Sequence, residues 1–549
     1  MNPERQGGLL VSKKFWTIAL LILVLLVPLV VRLRLLGMPL ERDEGEFAYA
    51  AQLLLHGDSP YQGAYNTGLK LPGTVAGYAV SMAVFGQTAT AIHLGVVFIN
   101  LATALLLFVL GKRIAGAAAG VVAAGVFSWM SINPEVLGLA AHATHFVMLP
   151  AVAGLLLLQD VSTTTSARKI FCAGFLLGLA FVAKQTGAFF CLFGAIWMIW
   201  WEFFQAERRW KRLSCRLLWL ALGGTIPFAL TCLIVAANGD FGRFWFWAFE
   251  YARAHGSVFS FREGLEWMRA SLQSEFDSAP GLWSLALLGL VLLIFNPAWK
   301  RWRFFIFGLA VFSFLAICPG GYFREHYFIQ LLPVTGLLVA VVFRTISDFF
   351  AKASHPKLTV IASLLVGAAM LQELIDGSHI YFFFTPEEVC RTIYPNNPFV
   401  EAIEVGDYLE KHCPPDRRIA VLGSEPEIFF YSRLRSATGY ICTYPLMEKQ
   451  PYAAAMREEM VGQIKQAAPA YVVFVNVHCS WMQDATPPDP GAFQWFETYR
   501  AEHLQLVGVV DIPTHGPTVY QWIDSGSNLS LPKSTIWLAV FKERDTARD

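Results

Sequence analysis

Through the first 375 residues, long apolar runs alternate with short polar breaks. The runs occupy 15–37, 89–110, 114–132, 146–159, 170–183, 187–204, 217–237, 281–295, 304–318, 328–343 and 358–375. Because about 20 consecutive apolar residues cross a bilayer core as a helix, the pattern predicts a polytopic α-helical membrane protein of about eleven spans. A further stretch, 71–86, is rich in Gly and Ala and short for a span, and is expected to dip into the membrane from the outer face. Arg5, Lys13 and Lys14 precede the first run, and Lys112-Arg113, Arg168-Lys169, the basic cluster ending at Arg212, Lys300-Arg301 with Arg303, and Arg344 occupy every second break after it. The positive-inside rule places these in the cytoplasm, with the N-terminus inside and the C-terminus outside. No small-residue cleavage pattern follows the first run, so it is expected to be a retained anchor. Arg32, Arg34 and Arg42 lie on the other side and are read as phosphate ligands or snorkelling side chains.

From His379 the periodicity changes. Strand-like runs at 418–423, 471–475, 504–512 and 536–542 alternate with helical patterns at 399–411 and 456–466, which predicts a small three-layer α/β domain with a partly parallel sheet. The organisation expected is therefore a transmembrane domain over 1–377, with a first outer loop at 38–88, and an extracytoplasmic α/β domain over 378–549. No Gly-x-Gly-x-x-Gly turn supports a nucleotide site in that domain.

Composition agrees: 55% of the 549 residues are hydrophobic and 15% charged, where soluble domains carry about 25% charge. A net charge of +1 gives no electrostatic case for nucleic acid as a partner. The nine cysteines contain no Cys-x-x-Cys pair, which excludes a zinc ribbon or a thioredoxin-like motif. Cys390, Cys413, Cys442 and Cys479 fall in the polar C-terminal region, where export would let them pair.

One polar stretch stands out, Glu41-Arg42-Asp43-Glu44-Gly45-Glu46, with four carboxylates at the mouth of the first span. Ionisable groups at that depth are functional candidates, although an acidic helix start favoured by the helix dipole is the plainer account. Together with Phe47-Ala48-Tyr49-Ala50-Ala51-Gln52 and Lys70-Leu71-Pro72-Gly73, the stretch resembles the first extracytoplasmic loop of GT-C class membrane glycosyltransferases. It is closest to the group that contains the protein O-mannosyltransferases and the bacterial aminoarabinose transferase of lipid A. Many members read Lys-Pro-Pro where this chain has Lys70-Leu71-Pro72. The resemblance runs from about Phe15 to Arg344 and fades in the C-terminal region.

The resemblance implies an inverting transferase in the cell inner membrane that takes a sugar from a polyprenyl-phosphate-linked donor to a glycan, lipid or protein acceptor. Asp43 matches the family's catalytic acid, and Glu44 is expected second to it, as an orienter or acceptor contact. A carboxylate at the interface suits a general base because partial desolvation raises its pKa. Cations suit the departing phosphate, and the candidates are Lys70, Lys184 in a Lys-Gln that relatives share, and Arg324 with His326 in Gly320-Gly321-Tyr322-Phe323-Arg324-Glu325-His326. Snorkelling for Lys184 and an aromatic belt with a salt bridge around Arg324 are the structural alternatives. His142 and His145, three apart and able to share a helical face, are read as hydrogen-bonding to the donor sugar or phosphate, with plain capping of the loop as the structural alternative. Two His are a weak metal signal, so no metal and no other cofactor is expected. Many relatives carry a second acid where this chain has Thr144, which weakens a two-carboxylate mechanism. The aromatic segment 243–255 reads as an interfacial helix beside the lipid-carrier groove. A transporter or flippase of a lipid-linked sugar is the alternative function; it would bury its charges near the membrane midplane.

Overall fold

The computed structural model describes residues 3–59, 70–160, 162, 164–205, 209–353, 355–482, 490–526 and 529–544. Residues 60–69 of the first loop and part of the basic cluster before Trp210 lie outside them. Each apolar run contains a helix: Pro3–Arg34, Ala89–Ala115, Ala117–Met130, Ala143–Leu158, Ala167–Ala183, Ala188–Phe203, Trp210–Ala237, Pro280–Phe295, Arg303–Ile317, Leu332–Lys352 and Val360–Asp376. Among the described residues six helices are long and apolar enough to cross a membrane, or seven if Phe261–Ser278 and Pro280–Phe295, bent by 110° at their junction, make one span. The short helix Ala117–Met130 is buried almost throughout by its neighbours, whereas Ile22, Leu23, Leu233, Ile234, Val291 and Leu364 on longer helices point outward. Exposed aliphatic faces of this extent suit lipid rather than water.

Local chemistry sets the helix ends. Thr88 and Ser166 cap their helices by accepting the backbone N–H groups of Ala91 and Lys169. The helix predicted from residue 328 starts instead at Leu332, because Pro333 suits a first turn and Glu325–Gln330 is wound as a tighter 3₁₀ segment. Residues 71–86 form the expected short helix, Pro72–Phe85. Two of the exceptional arginines serve the backbone: Arg32 donates to the carbonyl of Ser131, and Arg34 to those of Ile380, Tyr381 and Phe384, so neither is a phosphate ligand.

The C-terminal region holds a six-stranded sheet of order β2-β1-β3-β6-β4-β5. Its strands are β1 (Arg418–Leu422), β2 (Arg435–Ser436), β3 (Tyr471–Asn476), β4 (Leu504–Ile512), β5 (Val519–Trp522) and β6 (Ile536–Glu543). β2, β1 and β3 are parallel and the remaining pairs antiparallel, as the sequence pattern suggests. β2 and β5 were not predicted; they are short and lack the alternating apolar pattern. All nine cysteines are free, so the pairing that export would allow is not found: Cys390 packs with Val31 and Phe399, whereas Cys413 is in the sheet core with Ile419.

This region is not held by a tether. One continuous core runs from the membrane helices through Tyr49 of the acidic helix to Phe429 and Val473 beside the sheet. The segment expected to lie flat at the interface folds as Phe241–Trp245, a π turn Phe246–Tyr251 and Ala252–His255. It buries Trp247 and Tyr251 and meets the C-terminal region through Phe246 on Tyr452 and Arg243 on Glu459.

Candidate active site

The acidic stretch builds the site by starting a helix. Glu41 is the N-cap of Arg42–Leu55, and a reciprocal capping box links it to Glu44, with Glu44 N–H donating to Glu41 Oε1 at 2.9 Å and Glu41 N–H to Glu44 Oε2 at 3.2 Å. Two carboxylates are thereby used in structure. Glu44 is fully buried, accepts from Ala141 N–H and lies 2.9 Å from His93 Nε2. Burial opposes its charge, but His93 and the backbone donor hold its pKa below the usual range. Glu44 is thus an anchor for the loop and not a contact for substrate.

Asp43, between them, faces a cavity of about 730 Å³ and is 36% exposed. Lys70 Nζ lies 3.0 Å from Asp43 Oδ1 and 2.7 Å from Glu46 Oε2, over the ring of Phe47. His142 Nδ1 and His326 Nε2 each lie 3.9 Å from Asp43 Oδ2, and their rings stack at 4.1 Å between centroids. Burial would raise the Asp43 pKa, as the sequence suggested, but the Lys70 charge, joined by His326 and His142 once acid protonates them, reverses the sign and holds it far below the ordinary carboxylate range. Asp43 is therefore ionised and restrained, not a carboxylate made basic by desolvation. Burial pushes His142 down to about 4, against the pull of Asp43 and Glu44, so its imidazole is neutral near pH 7, and neither ring nitrogen has a hydrogen-bond partner among the described residues. His326 is lowered too, by burial and by His142 and Lys184.

The same cavity collects the other predicted cations. Lys184, between two helices, sits over the ring of Tyr327 at 3.9 Å, and burial lowers its pKa to about 7 despite Asp43. Arg324 is exposed, near the ring of Tyr322 at 5.8 Å. Asp43, Lys70, Lys184, Arg324, His142 and His326 thus line one space although the chain scatters them over some 280 residues.

His145 is not brought there. The spacing argument assumes that both histidines lie on one helix face, but His142 is an extended N-cap preceding Ala143–Leu158. His145 turns inward, with Nε2 on Gly138 O at 3.1 Å and Nδ1 on Asn100 at 3.2 Å. Asp43, His142 and His326 offer ligand atoms within 4.8 Å of one another, the one such group found among the described residues, and two neutral imidazoles with a carboxylate are a donor set zinc accepts. The Thr144 hydroxyl is buried, has no hydrogen-bond partner among the described residues, and adds no ligand charge.

Sequence reasoning missed the cavity's far wall. Glu448, from the C-terminal region, accepts from Tyr251 Oη and lies 2.9 Å from His255 Nδ1, while Tyr322 Oη reaches the same imidazole at 3.1 Å. Nothing local in these residues signals the site, since the fold alone brings them together.

Comparison with known proteins fits this geometry. Residues 72–236 match the family described as dolichyl-phosphate-mannose-protein mannosyltransferase. ArnT from Cupriavidus metallidurans bound to undecaprenyl phosphate superposes with a TM-score of 0.57 at 14% identity, covering 95% of this chain and 97% of that one. The apo oligosaccharyltransferase of Archaeoglobus fulgidus gives 0.54 at 13% identity over 95% and 76% of the two chains. The Archaeoglobus fulgidus AglB complex with an inhibitory peptide and a dolichol-phosphate gives 0.50 at 13%, over 94% and 75%. No curated protein matches the sequence. At such identities the shared property is the fold, which is that of the GT-C class membrane glycosyltransferases with a C-terminal sheet region.

Proposed function

We propose that this chain is an integral-membrane, inverting glycosyltransferase that takes a sugar from a polyprenyl-phosphate donor to a hydroxyl of a glycan, lipid or protein acceptor. The observation that carries the proposal is Asp43 at the wall of a cavity that also holds Lys70, Lys184 and Arg324. In one displacement the acceptor oxygen bonds to the anomeric carbon as the bond to the phosphate oxygen breaks. The acceptor proton passes to Asp43, and the polyprenyl phosphate leaves with the bonding electrons to meet the cations. A single displacement inverts the sugar.

The resting geometry suggests how the base is released. While Lys70 is bound to Asp43 the carboxylate is a poor proton acceptor; a donor phosphate that draws the ammonium away restores its basicity only in the loaded site. ArnT with undecaprenyl phosphate and AglB with dolichol-phosphate support a lipid phosphate as donor carrier. If a metal is held, Asp43, His142 and His326 are its ligands, and it would add positive charge beside the phosphate. The transferase domain covers 1–377 and the α/β domain 378–549, and the site opens on the extracytoplasmic side of a cell inner membrane.

The experiment is transfer from a lipid-linked sugar by purified protein. Asp43→Asn should lower it about 100-fold or more, the usual scale of a lost general base. Near-normal transfer by folded Asp43→Asn protein would refute the assignment. For topology, a Cys at exposed Ser530 should react with an impermeant maleimide from outside the cell, and protection there would reverse the sidedness.

A further inference from the structure

Arg42 has no role in the chemistry above, yet it adjoins Asp43 and is held by the far end of the chain. Its Nε–H donates to Ser424 O, and its Nη2 donates to Glu425 Oε1 at 3.0 Å and Asn397 Oδ1 at 3.1 Å. The rings of Phe399 and Tyr444 lie 5.4 and 5.1 Å from the guanidinium carbon. Glu425 is fully buried and has Arg42 as its one ion-pair partner among the described residues.

The place matters as much as the contacts. β1 and β3 are parallel neighbours, and the chain leaves β1 toward β2 on one side but leaves β3 toward β4 on the other. In open α/β sheets the crevice beyond the carboxyl ends of two such strands is where ligands bind. Here that crevice is framed by Ser424-Glu425 after β1 and Ser480 after β3, laced by Ser424 N–H to Ser480 Oγ at 2.8 Å and Ser480 Oγ–H to Glu425 Oε2 at 2.7 Å. Gly423 leaves room for it, since a Cβ there would lie 2.4 Å from Glu425 Oε2. The approach of the acidic helix is also built in, because a Cβ on Gly45 would lie 2.5 Å from the backbone N of Glu427.

We infer that the C-terminal α/β region is a positioning clamp whose strand-end crevice takes the Arg42 guanidinium as its ligand, fixing the start of the acidic helix and with it the Asp43 carboxylate. Arg42 is accordingly neither a phosphate ligand nor a snorkelling side chain. The inference rests on Asp43 being the base, and the two fail differently: an active Asp43→Asn protein removes that reading, whereas an inactive Asp43→Asn protein beside a fully active Arg42→Ala protein removes only the clamp.

The test uses purified full-length protein and a short-chain polyprenyl phosphodiester sugar as donor. Arg42→Ala should lower kcat by about 100-fold, the scale of an ångström-sized misplacement, and leave donor Kd within about twofold. Added guanidinium at non-denaturing concentration should refill the crevice and recover about tenfold, while an equal concentration of sodium should not. Glu425→Gln should reproduce the kcat loss without guanidinium rescue, and the double variant should be no worse than Arg42→Ala alone. A donor Kd that weakens in step with kcat/KM in Arg42→Ala would make Arg42 a phosphate ligand and overturn the clamp, as would multiplicative losses in the double variant. Should Arg42→Ala not fold, Asn397→Ala removes one hydrogen bond from Arg42 and Ser480→Ala removes two from the crevice; losses in kcat at constant donor Kd support the clamp, and unchanged kcat in both refutes it.

Discussion

Lys184 offers a test that needs no knowledge of the sugar. Lys184 is half-buried, its ammonium over the Tyr327 ring and its pKa brought down to about 7, so in the free protein it gains its proton only as the pH falls through neutrality. A phosphate ligand recruits the protonated form and raises that pKa. If only the ammonium form binds, the apparent Kd scales with 1 + 10^(pH − pKa), and a pKa of about 7 gives a Kd that weakens about 90-fold between pH 6 and pH 9. The probe should be a short-chain polyprenyl phosphodiester, whose single negative charge is fixed across this range, so the protein alone titrates. Binding by calorimetry in matched-salt buffers should give a flat line below pH 7 and a slope of one decade per pH unit above it. Lys184→Arg, whose guanidinium remains charged, should remove the slope while keeping the pH 6 affinity within about tenfold. A Kd constant from pH 6 to 9 in the unaltered protein, or an equal slope in Lys184→Arg, would show that Lys184 does not meet the phosphate.

Other consequences are sharp enough to measure. His142 has a folded-state pKa of about 4 against about 6.5 when unfolded, so protonation favours the unfolded chain and stability should fall as pH drops from about 6.5 to about 4; His142→Gln should flatten that limb in thermal melts, and an unchanged limb would contradict the neutral imidazole. Gly45→Ala forces a methyl to 2.5 Å from Glu427 N and should cost about 1 to 3 kcal/mol, read as a lower melting temperature; no change would mean that the helix and the sheet region part easily. Disulfides are worth about 2 to 4 kcal/mol each, so with all nine cysteines free a reductant should leave the melting temperature unmoved, and a reducible cross-link on a gel would refute this. Zinc binding in the absence of donor should weaken in both His142→Ala and His326→Ala if the three-ligand group holds an ion, and equal binding in both would discount it.

The membrane helices were legible because each declares itself within its own 14 to 32 residues. The acid loop was legible for the same reason: Asp43, its capping neighbours and Lys70 lie within 30 positions. What failed depended on distance or on local geometry finer than spacing. Periodicity put His142 and His145 on one face, but a cap residue is not yet on the helix. The Asp43 pKa took the opposite sign because Lys70 of the same loop folds back onto its carboxylate and His326 and His142 join from two distant segments of the chain. Arg42 was read against the membrane because its partners, Asn397, Ser424 and Glu425, are more than 350 residues away. The aromatic segment 243–255 has the composition of a lipid-facing helix, and only the fold shows that part of it faces Glu448 and Tyr452.

The 383 positions between Arg42 and Glu425 also set a clock. Synthesis proceeds at about 5 to 20 residues per second, so the acid loop is made and inserted roughly 20 to 75 s before the residue that grips it exists. During that interval Arg42 has neither Ser424 nor Glu425 to hold it, so the start of the acidic helix lacks its distant grip. A chain that stalls before β1 therefore carries the acid loop without Ser424 and Glu425, the partners that hold Arg42 in the finished fold.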